Sequence, residues 1–148
     1  MKKSTIFLLV ILVLLILILV YFRIVGLQEE TKNNLQFNSE FEEFLDKEVY
    51  GTNVVTVINK AIDYNEKNNI SKDEKGYYIE DEEKSILVEL QFINSKDKIT
   101  TYKMEQIASL GIEKFLSSEF NLVNFRCTSK EYHKNGRLSK LIFTQLEK

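Results

Sequence analysis

The stretch FNLVNFRCTSKEYHKNGRLSKLIFTQL, residues 120–146, alternates apolar and polar side chains on both sides of Asn135-Gly136. Asn-Gly is the preferred pair for a two-residue type I′ turn, whose twist matches the strands it joins. Strands over 120–133 and 137–146 are therefore predicted. A two-residue turn sets Glu131 opposite Lys140, Ser129 opposite Ile142, Cys127 opposite Thr144 and Phe125 opposite Leu146. Val123, Phe125, Cys127, Ile142 and Leu146 then share one apolar face, with the Glu131–Lys140 pair toward the tip.

Upstream of this hairpin, Met104, Ile107, Ala108, Gly111, Ile112 and Phe115 recur at helical spacing and predict a helix over 104–116. Before it the period is two. Residues 99–102 form a strand with threonines, 94–98 a turn, and 85–93 a strand with Ile86, Val88, Leu90 and Phe92 on one face. A short strand over 77–80 precedes the acidic turn 81–84, and 65–76 is a charged loop. Val54, Val55, Ile58, Ala61 and Ile62 mark an amphipathic helix capped by Thr52 or Asn53. Ser39 and Glu42 have capping-box spacing, which places a further helix over 39–49, ended by Gly51. The predicted order is α-α-β-β-β-α-β-β: an α+β domain with an antiparallel sheet packed on helices.

At the other end of the chain, residues 6–22 read IFLLVILVLLILILVYF, with no polar side chain before Tyr21. At helical rise, residues 4–25 span about 30 Å, the thickness of a bilayer's hydrocarbon core. The run is longer than a signal peptide's apolar region, and its exit lacks an A-x-A pattern, so an uncleaved anchor is expected. Lys2 and Lys3 at the edge of the run predict a cytoplasmic N-terminus. Between Ile6 and Val20 there is no Gly, Ser, Thr or ionisable residue, which describes a tether rather than a channel or proton relay. The predicted organisation is a cytoplasmic tail (1–3), a transmembrane helix (4–25), a juxtamembrane linker (26–36) and an extracytoplasmic α+β domain (37–148).

Three of the 20 basic residues, Lys2, Lys3 and Arg23, flank the anchor. The remaining 17 stand against 22 acidic residues, a net of −5, which disfavours nucleic-acid backbones. A single cysteine excludes an intrachain disulfide. Proline is absent and glycines number 5, so no stalk or flexible linker is encoded.

Cys127 and His133 are the only thiol and imidazole. On one extended strand they lie about 20 Å apart, too far for a nucleophile–base pair. Cys127 is expected in the core, and His133 in solvent beside the hairpin tip. The acidic turn Glu80-Asp81-Glu82-Glu83 lacks the ligand alternation of a calcium loop and is expected to face water. Tyr77, Tyr78, Tyr102 and Tyr132 are candidates for an exposed patch suited to a protein partner. No catalytic, cofactor-binding or metal-binding residue is assigned, and no small-molecule ligand is predicted.

The anchor taken together with Tyr50-Gly51-Thr52-Asn53-Val54, Ile58-Asn59-Lys60, Asp73-Glu74-Lys75-Gly76-Tyr77-Tyr78, Phe125-Arg126-Cys127 and Tyr132-His133 resembles a group of small single-pass membrane proteins from AT-rich Firmicutes. The resemblance covers most of the chain; it implies a membrane location and no particular activity. In architecture the chain also resembles type IV pilins, with an apolar helix ahead of a sheet domain. It departs from them in lacking a Gly-Phe processing site and a Glu at the fifth mature position. The expected function is a non-enzymatic interaction or scaffold domain held to the bilayer through residues 6–22, with an envelope protein as partner. A pilin-like or secretion-apparatus subunit and an envelope hydrolase using carboxylates are the alternatives.

Overall fold

The computed structural model describes residues 3–93, 98–111 and 122–146. The chain forms two compact units, residues 1–34 and 35–148. Its elements are α1 (Lys3–Glu42), β1 (Glu48–Tyr50), α2 (Gly51–Lys67), β2 (Leu87–Ile93), β3 (Ile99–Lys103), α3 (Met104–Ser109), β4 (Asn124–Tyr132) and β5 (Leu138–Gln145).

The first unit is helical throughout its described length. Leu, Ile and Val supply no competing hydrogen bonds, so the backbone satisfies its own polar groups along the helix. Every residue from Ile6 to Val25 is exposed, on every side of the helix. This is one helix long and apolar enough to cross a membrane by length and composition.

The second unit is α+β, as its periodicities predict. Its five strands lie in the order β1-β4-β5-β2-β3. Two antiparallel hairpins, β2–β3 and β4–β5, meet where β5 runs parallel to β2, and β1 adds an antiparallel edge beside β4. The sheet is therefore mixed: three of its strand pairings are antiparallel and one is parallel. The parallel seam joins strands about fifty positions apart, and no local turn specifies such a pairing.

Alternate strand residues Val88, Leu90, Phe92, Phe125, Leu141 and Phe143 are buried against one layer of helices. That layer comes from Phe37 and Phe41 at the end of α1, Val54, Val57, Ile58 and Ala61 of α2, and Met104 and Ile107 of α3. Each fully buried side chain of this size contributes about 1.5–3 kcal/mol.

Several local expectations are corrected. Ser39 starts no helix: it lies within α1, and its Oγ donates to the Gln36 carbonyl oxygen at 2.7 Å. The chain leaves α1 after Glu42 through a turn in which Phe44 N donates to Phe41 O, and Phe41, Phe44 and Leu45 enter the core. Residues 48–50, of which 48 and 49 are expected at the end of a helix, pair as β1 with β4. Neither Thr52 nor Asn53 caps α2; the Gly51 N–H instead donates to Val123 O beside the sheet. No strand forms over 77–80, where only a Lys72–Tyr78 bridge is present. The turn predicted at 94–98 and the end of the helix predicted over 104–116 fall largely outside the described residues.

The hairpin is built differently at its tip. His133 N donates to Arg137 O, Gly136 N donates to His133 O, and only Gly136 of the central pair has positive φ, at 81°. This is a three-residue loop, Lys134-Asn135-Gly136, closing through a left-handed glycine, and not a type I′ turn. The predicted pairs Glu131–Lys140 and Ser129–Ile142 are present, but Cys127 faces Phe143 and Phe125 faces Gln145. One extra residue on β5, Ser139, and one on β4, Thr128, produce the two shifts. As a result Leu141 and Phe143, not Ile142 and Leu146, carry β5's core face.

Candidate functional site

Two features of the second unit gather polar chemistry: the hairpin tip and the sheet face away from the helices. At the tip, the loop 81–86 is drawn under the 133–138 turn. Asp81 Oδ1 accepts from the N–H groups of Glu83, Lys84 and Ser85 at 3.1, 2.6 and 2.7 Å. Asp81 N donates back to Ser85 Oγ at 2.9 Å. Desolvation pushes the Asp81 carboxyl up, but the backbone donors of Ser85, Lys84 and Glu83 together outweigh it and hold the group below its ordinary range.

His133 is buried, contrary to the solvated position expected of it. Its Nε2 lies 2.7 Å from the Ser85 carbonyl oxygen, which only accepts, so Nε2 carries the proton. Asn135 Nδ2 donates to Glu83 O, and Asn38 clasps the turn by donating to Gly136 O and accepting from Leu138 N. The Arg137 guanidinium lies 4.4 Å from the Phe37 ring centre and 4.8 Å from that of Tyr64.

Asp81, Ser85 and His133 thus converge, but not as a nucleophilic set. The imidazole bonds a backbone carbonyl, not the Ser85 hydroxyl, and Ser85 is wholly buried. The acidic turn faces water as expected: Glu80, Asp81, Glu82 and Glu83 are all exposed, and the Asp81 carboxylate also bonds back to its own loop. Asn65 and Ser85, which anchor this region, carry no motif that marks them in the sequence.

On the sheet, Glu48, Arg126, Thr144, Gln91 and Thr101 form one row across all five strands. Arg126 Nη2 donates to Glu48 Oε1 at 2.9 Å, and Thr144 Oγ1 donates to Gln91 Oε1 at 3.0 Å. With its proton used there, Thr144 accepts from Thr128 across 2.8 Å. Lys140 sits opposite Glu131 in the ladder, yet its ammonium pairs with Glu89 on β2 at 3.0 Å. Next to this pair a cleft of about 30 Å³ is lined by Tyr78, Leu87, Glu89, Lys103, Met104 and Glu105. That is below the roughly 300–1,000 Å³ of small-molecule sites.

Cys127 and His133 have separate surroundings. Cys127 packs against the core, as expected, and its Sγ lies 3.4 Å from Ser129 O. Burial pushes its thiol above the ordinary value, against the opposing pull of Ser129's backbone and Lys130. The four tyrosines do not form one exposed patch. Tyr132 is exposed; Tyr78 is buried, with its N–H on Glu105; Tyr77 lies under Lys103; and Tyr102 meets Phe92 edge-on. Among the described residues no group of three or more His, Cys, Asp and Glu is placed to hold a metal ion. Comparison with known proteins finds no matching family model, no matching curated protein and no matching solved structure.

Proposed function

We propose that the chain is a single-pass membrane protein whose second unit is an extracytoplasmic interaction or scaffold domain that works by binding an envelope protein. The observation that carries this reading is the uninterrupted exposed apolar surface from Ile6 to Phe22. In water that surface is costly on the order of tens of kcal/mol, and a hydrocarbon core about 30 Å thick removes the cost. Lys2 and Lys3 favour retention of the N-terminus in the cytoplasm. The second unit supports an interaction role because it has its own core and an open, ordered polar sheet face.

Carbonate washing of native membranes, protease shaving of intact cells and in-membrane crosslinking test the reading together. Retention in the pellet, loss of the second unit to external protease and repeated capture of one envelope protein are expected. Release by carbonate or protection until lysis overturns it. Mass spectrometry that finds a mature chain starting beyond residue 25 converts the helix into a cleaved leader.

A further inference from the structure

We propose that Asn135 is a modification site: its side-chain amide is lost spontaneously to give aspartate and isoaspartate, the closed hairpin tip restrains that reaction, and the product keeps the tip from reclosing on the 81–86 loop.

Asn135-Gly136 is the one Asn-Gly pair in the chain. The chemistry needs only water. The Gly136 nitrogen gives up its proton and attacks Cγ of Asn135. The N–Cγ bond forms, the Cγ–Nδ2 bond breaks and ammonia leaves with a proton, closing a succinimide ring. Water then opens the ring. Attack at Cγ gives aspartate; attack at the Asn135 backbone carbonyl carbon gives isoaspartate, in which the chain runs on through Cγ. A glycine after the asparagine leaves the attacking nitrogen unhindered. Gly136 is exposed, and a Cβ built on it would meet nothing within 4 Å, so water and base reach the site.

Both reacting groups are held while the tip is closed. Gly136 N donates to His133 O at 2.9 Å, which engages the proton that the nucleophile must lose. Asn135 Nδ2 donates to Glu83 O and its Oδ1 accepts from Arg137 N, each at 3.2 Å, so the amide is fixed. Asn38 spans the turn through Gly136 O and Leu138 N, both at 2.9 Å. Attack therefore waits for the tip to open, and a surface loop opens at a fraction of the free energy of global unfolding.

The products do not fit the closed tip. Aspartate has no N–H for Glu83 O and sets a carboxylate against that carbonyl oxygen, on a loop where Glu82 and Glu83 are exposed acids. Isoaspartate adds a methylene to the main chain inside a three-residue loop closed by His133 N on Arg137 O and Gly136 N on His133 O. Once ammonia has left, refolding does not restore the amide, so an opening of the tip is recorded permanently.

The test ages the full chain in lipid nanodiscs beside a synthetic peptide of residues 131–140. Peptide mass spectrometry follows conversion of Asn135 to acid, and enzymatic methylation counts isoaspartate. The chain should convert about tenfold or more slowly than the peptide, since only the open tip reacts. Asn38→Ala should speed conversion several-fold. If that variant fails to fold, sub-denaturing urea on the wild-type chain should produce the same acceleration. Asn135→Asp should hasten amide exchange at His133 and Gly136. Equal rates in chain and peptide overturn the proposal, as does conversion that neither Asn38→Ala nor urea accelerates. Exchange at those two amides as slow in Asn135→Asp as in wild type also overturns it.

Discussion

Asn65, on the last turns of α2, pairs with the backbone of Ile86 as a neighbouring strand would: its Nδ2 donates to Ile86 O at 2.7 Å and its Oδ1 accepts from Ile86 N at 2.9 Å. Both partners are wholly buried. One side chain therefore satisfies both backbone groups of a residue that no strand reaches, just before β2 begins. Asn65→Ala strands both groups away from water and should cost about 2–4 kcal/mol of unfolding free energy. Asn65→Asp keeps the acceptor but loses the donor and buries a carboxylate, so it should be no milder. Urea unfolding of the full chain in detergent, followed by tyrosine fluorescence, measures both.

The bulges at Ser139 and Thr128 decide which side of β5 faces the helices, and two truncations read that out. Phe143 is wholly buried in the cluster, so Phe143→Ala should cost about 3–5 kcal/mol. Ile142 lies half-buried on the polar face beside Glu89, so Ile142→Ala should cost about 1 kcal/mol. The register of an unbulged hairpin predicts the opposite ranking.

Asp81 gives the loop 81–86 a specific acid sensitivity. Its folded pKa lies below the unfolded value of about 3.9, so its contribution is complete above that value and fades as pH falls through the folded pKa. Asp81→Asn should therefore cost stability at pH 7, and the gap to wild type should close as pH falls through the folded pKa. The carboxylate is exposed, so after allowance for solvent screening the pH 7 difference should be about 0.5 kcal/mol. Thermal melts of both proteins between pH 7 and pH 2.5 decide the point; a gap that does not change with pH removes Asp81 from the account.

Cys127 should be a slow nucleophile. Burial raises its thiol pKa, so less thiolate is present at pH 8 than in a free thiol, and the sulfur is half-covered by the core. Alkylation by iodoacetamide at pH 8 should run roughly tenfold or more below that of glutathione and reach the same rate in denaturant. Equal rates in the folded protein place Cys127 outside the core.

Patterning alone determined much of this protein. The apolar run 6–22, the switch to alternating spacing read from Tyr77 and clearest over 85–93, and the Asn135-Gly136 corner marked a candidate anchor helix, an α+β domain and a hairpin, because each signal lies within a few neighbouring residues. The burial of Val54, Val55, Ile58 and Ala61 on α2, and of Ile86 ahead of β2 with Val88, Leu90 and Phe92 along it, follows the same local logic. Only the tertiary structure decided what depends on distant partners. Ser39 and Glu42 match a cap but sit inside α1, where continuing the helix satisfies the backbone without one. Val49 became part of an edge strand because β4 lay beside it, and β5 joined β2 in parallel across most of the domain. His133 left solvent because a carbonyl 48 positions upstream lay within reach of its ring. A single extra residue in a strand reverses every side chain beyond it, and whether that residue is inserted is settled by the fit of the whole sheet against its helices.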